Sequence, residues 1–264
     1  MKKLLAPLLA LGLLLSSCSH GQAPSTPLPS STPTPVPVAS PSSAPLWWER
    51  PDLSLLPQSL EESALLGGVP CWLMGTAEDV QLYCGVDVNE GGWLLRRGDA
   101  VQYFPAPMAR RPETAPKLQW GDFDADGQEE LLILYYTTPQ SADLHIYEWA
   151  EGWTDRHFGP EVYNPLLLDA IEYHYEPRTA TVACGGNTVS YTLGPEEAGR
   201  VGLWDSFGDL LFYRVEDTSL TAVFGIGLNI NGQARYFANV TAQLCYDGAS
   251  FSLLNFQLLE TGGV

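Results

Sequence analysis

The stretch Gly121-Asp122-Phe123-Asp124-Ala125-Asp126-Gly127-Gln128-Glu129-Glu130-Leu131 holds the most specific chemistry in the chain. Carboxylates at loop positions one, three and five gather hard oxygen ligands around a point, and glycine at position six permits the sharp turn this requires, which is the chemistry of Ca²⁺. Position twelve is Ile133 rather than a bidentate Glu, so the segment is not an EF-hand. Asp122, Asp124, Asp126 and Glu130 repel one another in a tight loop unless a cation sits among them. The alternative is a metal-free acidic turn.

Other reactive side chains are scattered. No G-x-S-x-G elbow, S-x-x-K, H-E-x-x-H or G-x-x-x-x-G-K-[ST] occurs, and no carboxylate pair stands out by its spacing, so no catalytic residue is named. His145, His157 and His174 read as surface or satisfied histidines, His145 facing solvent by strand alternation. Of eight tryptophans, Trp47-Trp48 beside the tether and Trp149 with Trp153 are the better candidates for exposure, and Trp149 and Trp153 are the candidates to stack an indole face on a sugar ring.

The elements that must position the acidic loop are mostly strands. Apolar or alternating runs at 71–74, 80–84, 100–104, 117–120, 130–137, 143–149, 179–184, 188–193, 209–216, 219–229, 235–246 and 250–258 predict a mainly β fold. In 236–246, Tyr236, Ala238, Val240, Ala242, Leu244 and Tyr246 share one face, as in a strand half buried against a core. Gly185-Gly186-Asn187, Asn231-Gly232 and Asp247-Gly248 are turn signals. One short helix is expected over 59–66, capped by Ser59 and stopped by Gly67-Gly68, and a second helical turn near 165–171. Antiparallel sheets follow, sandwich-like or partly propeller-like, with one or two short helices.

Cys71 and Cys84 flank a hairpin whose expected register sets them face to face. A bridge closing that loop is worth about 3 kcal/mol on the chain-entropy estimate. Cys184 and Cys245 pair by elimination, and four free buried thiols are the alternative. No C-x-x-C supports a zinc ribbon or a thioredoxin-like site.

The acidic segment resembles the D-x-D-x-D-G-x-x-[DE] loop of FG-GAP and VCBS repeats in integrin-like β-propellers, set between two strands of one blade. That resemblance implies Asp122, Asp124, Asp126 and Glu130 as side-chain ligands of a structural Ca²⁺ and Gln128 as a carbonyl ligand. One good copy is present, with a degenerate Asp87-Val88-Asn89-Glu90-Gly91 at best. The stretch from Gln119 to Glu260 also looks like a group of uncharacterised surface lipoproteins of Gram-positive anaerobes.

The amino-terminal end predicts where the chain resides. Lys2 and Lys3 precede a short apolar run interrupted by Pro7, the form of a secretory signal over 1–17. Leu15-Ser16-Ser17-Cys18 resembles the lipobox of bacterial lipoproteins, which implies that the Cys18 thiol is acylated and anchors the chain at the extracytoplasmic face of a cell membrane. Residues 18–46 carry that cysteine and a Pro/Ser/Thr tether too poor in apolar surface to fold. Residues 47–264 form the β-rich domain, in one unit or two near 47–115 and 116–264. Thirteen basic against 31 acidic side chains, a net charge of −18, argue against a nucleic-acid partner. The expected function is a non-enzymatic surface module for an extracellular protein or glycan, with a motif-less hydrolase or glycan-modifying enzyme as the alternative.

Overall fold

Strand periodicity is realised in four antiparallel sheets, and the computed structural model describes residues 48–49, 51–60, 62–86, 91–105, 114–197, 199–201 and 210–261. The signal, Cys18, the tether, Trp47 and positions 87–90 lie outside them. The first sheet is a meander of β1 (Ser63–Leu66), β2 (Val69–Ala77), β3 (Val80–Gly85), β4 (Gly92–Arg97) and β5 (Ala100–Pro105). The second is a four-stranded meander, β6 (Lys117–Gly121), β7 (Glu130–Thr138), β8 (Ser141–Trp149) and β9 (Trp153–His157). Helix α1 (Pro160–Ala170) leads to a three-stranded sheet of β10 (Glu172–Glu176), β11 (Thr179–Cys184) and β12 (Asn187–Thr192). The last sheet holds β13 (Gly199–Val201), β14 (Leu211–Glu216), β15 (Ser219–Ile230), β16 (Gln233–Tyr246) and β17 (Phe251–Glu260).

The second sheet is the middle layer because its central strand is apolar on both sides. In β7, Leu131, Ile133 and Tyr135 face one way and pack with Leu82, Cys84, Trp93 and Leu95 of the first sheet. Leu132 and Leu134 face the other way and join Phe224 and Val240 of the last sheet and Tyr163 of the helix. Alternation of side chains along a strand sends successive residues into separate cores. A third cluster, with Leu66, Leu73, Tyr83 and Leu94, fills the far side of the first sheet, where Trp48 stacks on Tyr103 at 4.0 Å. The expected face of β16 is confirmed: Ala238, Val240, Ala242, Leu244 and Tyr246 are buried and Tyr236 partly so.

Helix α1 begins earlier than the sequence suggested because Pro160 sits at its first turn, where the missing N–H would lack a partner anyway. It buries Tyr163 and Leu167, one turn apart, against the β14–β17 sheet. The helix expected over 59–66 is absent. Gly67 and Gly68 adopt φ of 58° and 90°, both left-handed, and make the two-residue turn that pairs Leu66 with Val69. The glycines that would stop a helix instead start a hairpin.

The expected disulfides are not present in the structure: no S–S bond links Cys71, Cys84, Cys184 or Cys245. A bulge between Leu73 and Gly75 shifts the β2–β3 register, so Cys71 lies opposite Gly85 and Cys84 opposite Trp72. The offset of one residue sends the two sulfurs to opposite faces, Cys84 into the core shared with the second sheet and Cys71 into the far cluster. Cys184 joins the core that holds Leu244 and Tyr246, whereas Cys245 lies between those residues and projects from the other side of β16. Burial pushes the Cys71 thiol up to about 12, with Cys84 nearby adding to the rise.

Burial therefore shields the Cys71, Cys84 and Cys184 thiols in the native state. Alkylation of the native protein should modify Cys245, the one not fully buried, well before Cys71, Cys84 or Cys184. After denaturation without reductant all four should react, and recovery of a Cys71–Cys84 linked peptide would refute this register.

Candidate metal centre

The acidic loop joins β6 to β7 and runs from Asp122 to Glu129 between paired ends, Gly121 lying opposite Glu130. Its turn is folded by the side chains that carry the charge. Asp126 N–H donates to Asp124 Oδ1 at 3.0 Å, Gly127 N–H to Asp122 Oδ2 at 3.1 Å, and Gln128 N–H to Asp126 Oδ1 at 2.7 Å. Short Asp side chains favour such local bonds to the backbone. Ala125 at φ 63° and Gly127 at φ 89° turn the chain through the left-handed region. Gly127 does so at no steric cost.

Oxygens of Asp122, Asp124 and Glu130 lie within 4.8 Å of one another. Among the described residues no other group of three acidic, histidine or cysteine side chains is so close. Glu130 is 4% exposed and one oxygen accepts from the Phe123 N–H at 2.9 Å. Burial pushes its carboxyl up from 4.5 to about 7; the Phe123 bond opposes this, and the charges of Asp124, Asp126 and Asp122 reinforce it. Asp122 Oδ1 is buried and has no hydrogen-bond donor among the described residues. A cation would answer both costs at once, so the donor set fits an oxygen-seeking ion. One carboxylate named from the sequence falls outside the triad: Asp126 is not part of it, and its Oδ2 accepts from Gln128 Nε2 at 3.0 Å.

Neighbouring turns close on this loop. A side chain at Gly248, in the β16–β17 turn, would place its Cβ 2.6 Å from Asp124 Oδ2. One at Gly121 would press on Thr218 of the β14–β15 turn at 3.0 Å. Gly248 is a site residue that sequence reading missed, because Asp-Gly signals a turn without saying what the turn approaches.

Beside the loop opens a cleft of about 490 Å³, whose walls include Asp124, Glu130, Glu78, Glu148, Trp120 and Trp149. The Arg97 guanidinium lies over both indoles, 5.2 Å from the Trp120 ring and 5.3 Å from the Trp149 ring, and pairs with Asp79 at 2.7 Å. Trp149, expected to be exposed, is partly buried against the core between the first two sheets, and it lines the cleft with Arg97 over its ring. Trp153 does not: it is 4% exposed in the core between the first two sheets. Gln102 clamps its backbone, accepting from Trp153 N–H and donating to its carbonyl, both at 2.8 Å. Trp153 is therefore no sugar platform.

His145 is not turned to solvent either. It accepts or donates at Nδ1 with Asp155 Oδ1 at 2.8 Å and packs edge-on to Tyr135. Alternation was read correctly, but both faces of the sheet are covered. No protein-family model, curated protein or solved structure matches this chain.

The raised Glu130 carboxyl gives a pH signature. The folded state holds this proton up to about pH 7 and the unfolded chain only to about 4.5, so its stabilising effect is complete below pH 4.5 and is lost as pH rises through 7. With chelator present, the melting temperature should fall across that window, and Glu130→Gln should flatten the fall. An unchanged slope in Glu130→Gln would assign the effect elsewhere.

Proposed function

We propose that this chain is a lipid-anchored, extracytoplasmic binding module whose β-domain is stiffened by Ca²⁺ held at the β6–β7 loop. The observation that carries the metal reading is the convergence of Asp122, Asp124 and Glu130 within 4.8 Å, with Glu130 buried. A hard divalent ion needs six to eight oxygens, and three carboxylates with backbone oxygens and water make such a set. The anchor reading rests on the small-small-Cys sequence ending at Cys18, and the binding role on the absence of any catalytic motif. The domain's acidic balance suits a neutral or cationic extracellular partner, protein or glycan.

A second reading, an enzyme acting on glycan or wall material, is favoured by one observation, the cleft in which Glu130 stands with its carboxyl raised to about 7. A carboxylic acid poised near neutrality is a common general acid. Metal binding separates the two readings, because an ion on Glu130 removes the proton that an acid catalyst must carry.

Extracellular Ca²⁺ modules have dissociation constants of about 0.1–1 mM, so about 2 mM Ca²⁺ acting on a site of about 0.2 mM stabilises the fold by roughly 1.4 kcal/mol. For a domain of this size chelation should lower the melting temperature by about 3–6 °C. Asp124→Asn should abolish that difference, and Tb³⁺ bound at the loop should luminesce on excitation of the neighbouring Trp120 and Trp149. Identical melting with chelator, Ca²⁺ and Mg²⁺ would leave the loop as an acidic turn.

The anchor is tested separately. Cys18→Ser should move the protein from the membrane fraction to the soluble fraction or hold it as an uncleaved precursor. Continued partition with lipid after signal removal would rule out acylation at this residue.

A further inference from the structure

The cleft beside the acidic loop has aromatic walls, and its one basic group already rests on them. Trp120 and Trp149 pack on the buried Trp153, with ring centroids 6.0 and 4.8 Å away, and Trp120 Nε1 donates to the Ala77 carbonyl at 3.3 Å, so both rings are held in place. Six carboxylates line the same space: Asp124, Asp126, Glu129 and Glu130 on the loop side, with Glu78 and Glu148 facing them across it. Against them stands a single guanidinium, Arg97, whose charge is answered by Asp79. Glu130 is 4% exposed, and the oxygen that Phe123 N–H does not reach accepts from no described residue. At Glu148 the Tyr246 hydroxyl donates to Oε1, and Arg156 lies 3.6 Å from the same oxygen, which orients that carboxylate at the wall.

We propose that this cleft docks an arginine-bearing, basic segment of an extracellular protein: one guanidinium takes the place of Arg97 on the Trp120 and Trp149 rings, and Glu78, Glu129 and Glu148 meet the segment's charge. Arg97 shows what the rings accept. A guanidinium is planar and weakly hydrated, so it stacks on an indole and forks to a carboxylate, which the compact, strongly hydrated lysine ammonium does less well. The resident side chain is held by exposed contacts, with side-chain exposures of 31% for Arg97 and 54% for Asp79, and ion pairs of that kind contribute little. A competing guanidinium can therefore displace it. Carboxylates set between apolar walls raise the local concentration of a cation, and the volume of about 490 Å³ falls within the range of ligand sites. Such a partner deepens, and rests on, the binding-module reading. It does not depend on the metal, because Glu78, Glu129 and Glu148 lie outside the Asp122, Asp124 and Glu130 triad and keep their charge when an ion sits there.

The test is a calorimetric titration of the full chain with acetylated tri-arginine amide at about 0.15 M salt, in millimolar Ca²⁺ and again in chelator, with tri-lysine and spermidine as comparison cations. Tri-arginine should bind about 5-fold more tightly than either, the margin that stacking on two indoles supplies, and should move the indole N–H resonances of Trp120 and Trp149. Arg97→Gln should tighten tri-arginine binding by about 3–10-fold by vacating the rings, whereas Trp149→Leu should erase the preference for arginine over lysine. The wild-type preference decides the matter even where a variant fails to fold. Melting temperatures of the same samples separate the two readings. Tri-arginine binding without a Ca²⁺ response supports the docking site and removes the metal, while a Ca²⁺ response without tri-arginine binding overturns the docking site and spares the metal. Equal affinity for tri-lysine or spermidine, or weaker binding by Arg97→Gln, also overturns the proposal.

Discussion

Burial of β7 on both faces is the constraint from which the rest of this structure follows. A strand covered on two sides cannot alternate apolar with polar, and Leu131 to Leu134 are accordingly all apolar and buried. Sheets can then stack only with the β6–β9 meander in the middle, the first sheet on one side and the helix with the last sheet on the other. Each additional buried leucine or isoleucine contributes roughly 1.5–3 kcal/mol over an exposed one, and β7 sends them into two cores at once.

The same burial creates the electrostatic problem at the head of β7. Glu130 is the residue where that strand begins, and its carboxylate is drawn into the interior beside three aspartates. A single hydrogen bond from Phe123 N–H does not offset removal from water, which is why the proton is held to about pH 7. Three backbone N–H groups of the loop donate to its own aspartates, so its shape is held without a metal. Turns from the last sheet, at Thr218 and Gly248, crowd the loop and restrict how far the carboxylates can spread to relieve repulsion.

Two clusters of ionisable side chains therefore sit on one sheet. Carboxylates gather where β6 hands over to β7, while two imidazoles stack farther along, His145 lying opposite Ile133 and His157 across the next ladder. Glu130 and the two imidazoles are positioned by strand register, and register in a sheet buried on both faces is strongly specified. Arg97 contributes in a different way: it lies over Trp120 and Trp149, tying the first sheet to the second at the mouth of the cleft.

Much of this was legible along the chain, and the parts that were not share one cause. Alternation, Gly and Asn turns and the Asp-x-Asp-x-Asp-Gly spacing are local signals, and they determined the strands, most hairpins and the candidate metal loop, because period-two patterning and tight-turn chemistry involve residues close in sequence. Five strands were missed, among them β4, which is nearly all buried, and β9, which is short and polar. Gly67-Gly68 was ambiguous because the same residues end helices and make two-residue hairpin turns. Tertiary structure alone decided the remainder. A bulge near Met74 parted Cys71 from Cys84, a second covering layer buried Trp153 and enclosed His145, Gly248 was brought against Asp124, and Asp126 was left outside the carboxylate triad. Each depends on which layer covers which face and on a one-residue step in register, and those are properties of sheets stacked together that no single strand encodes.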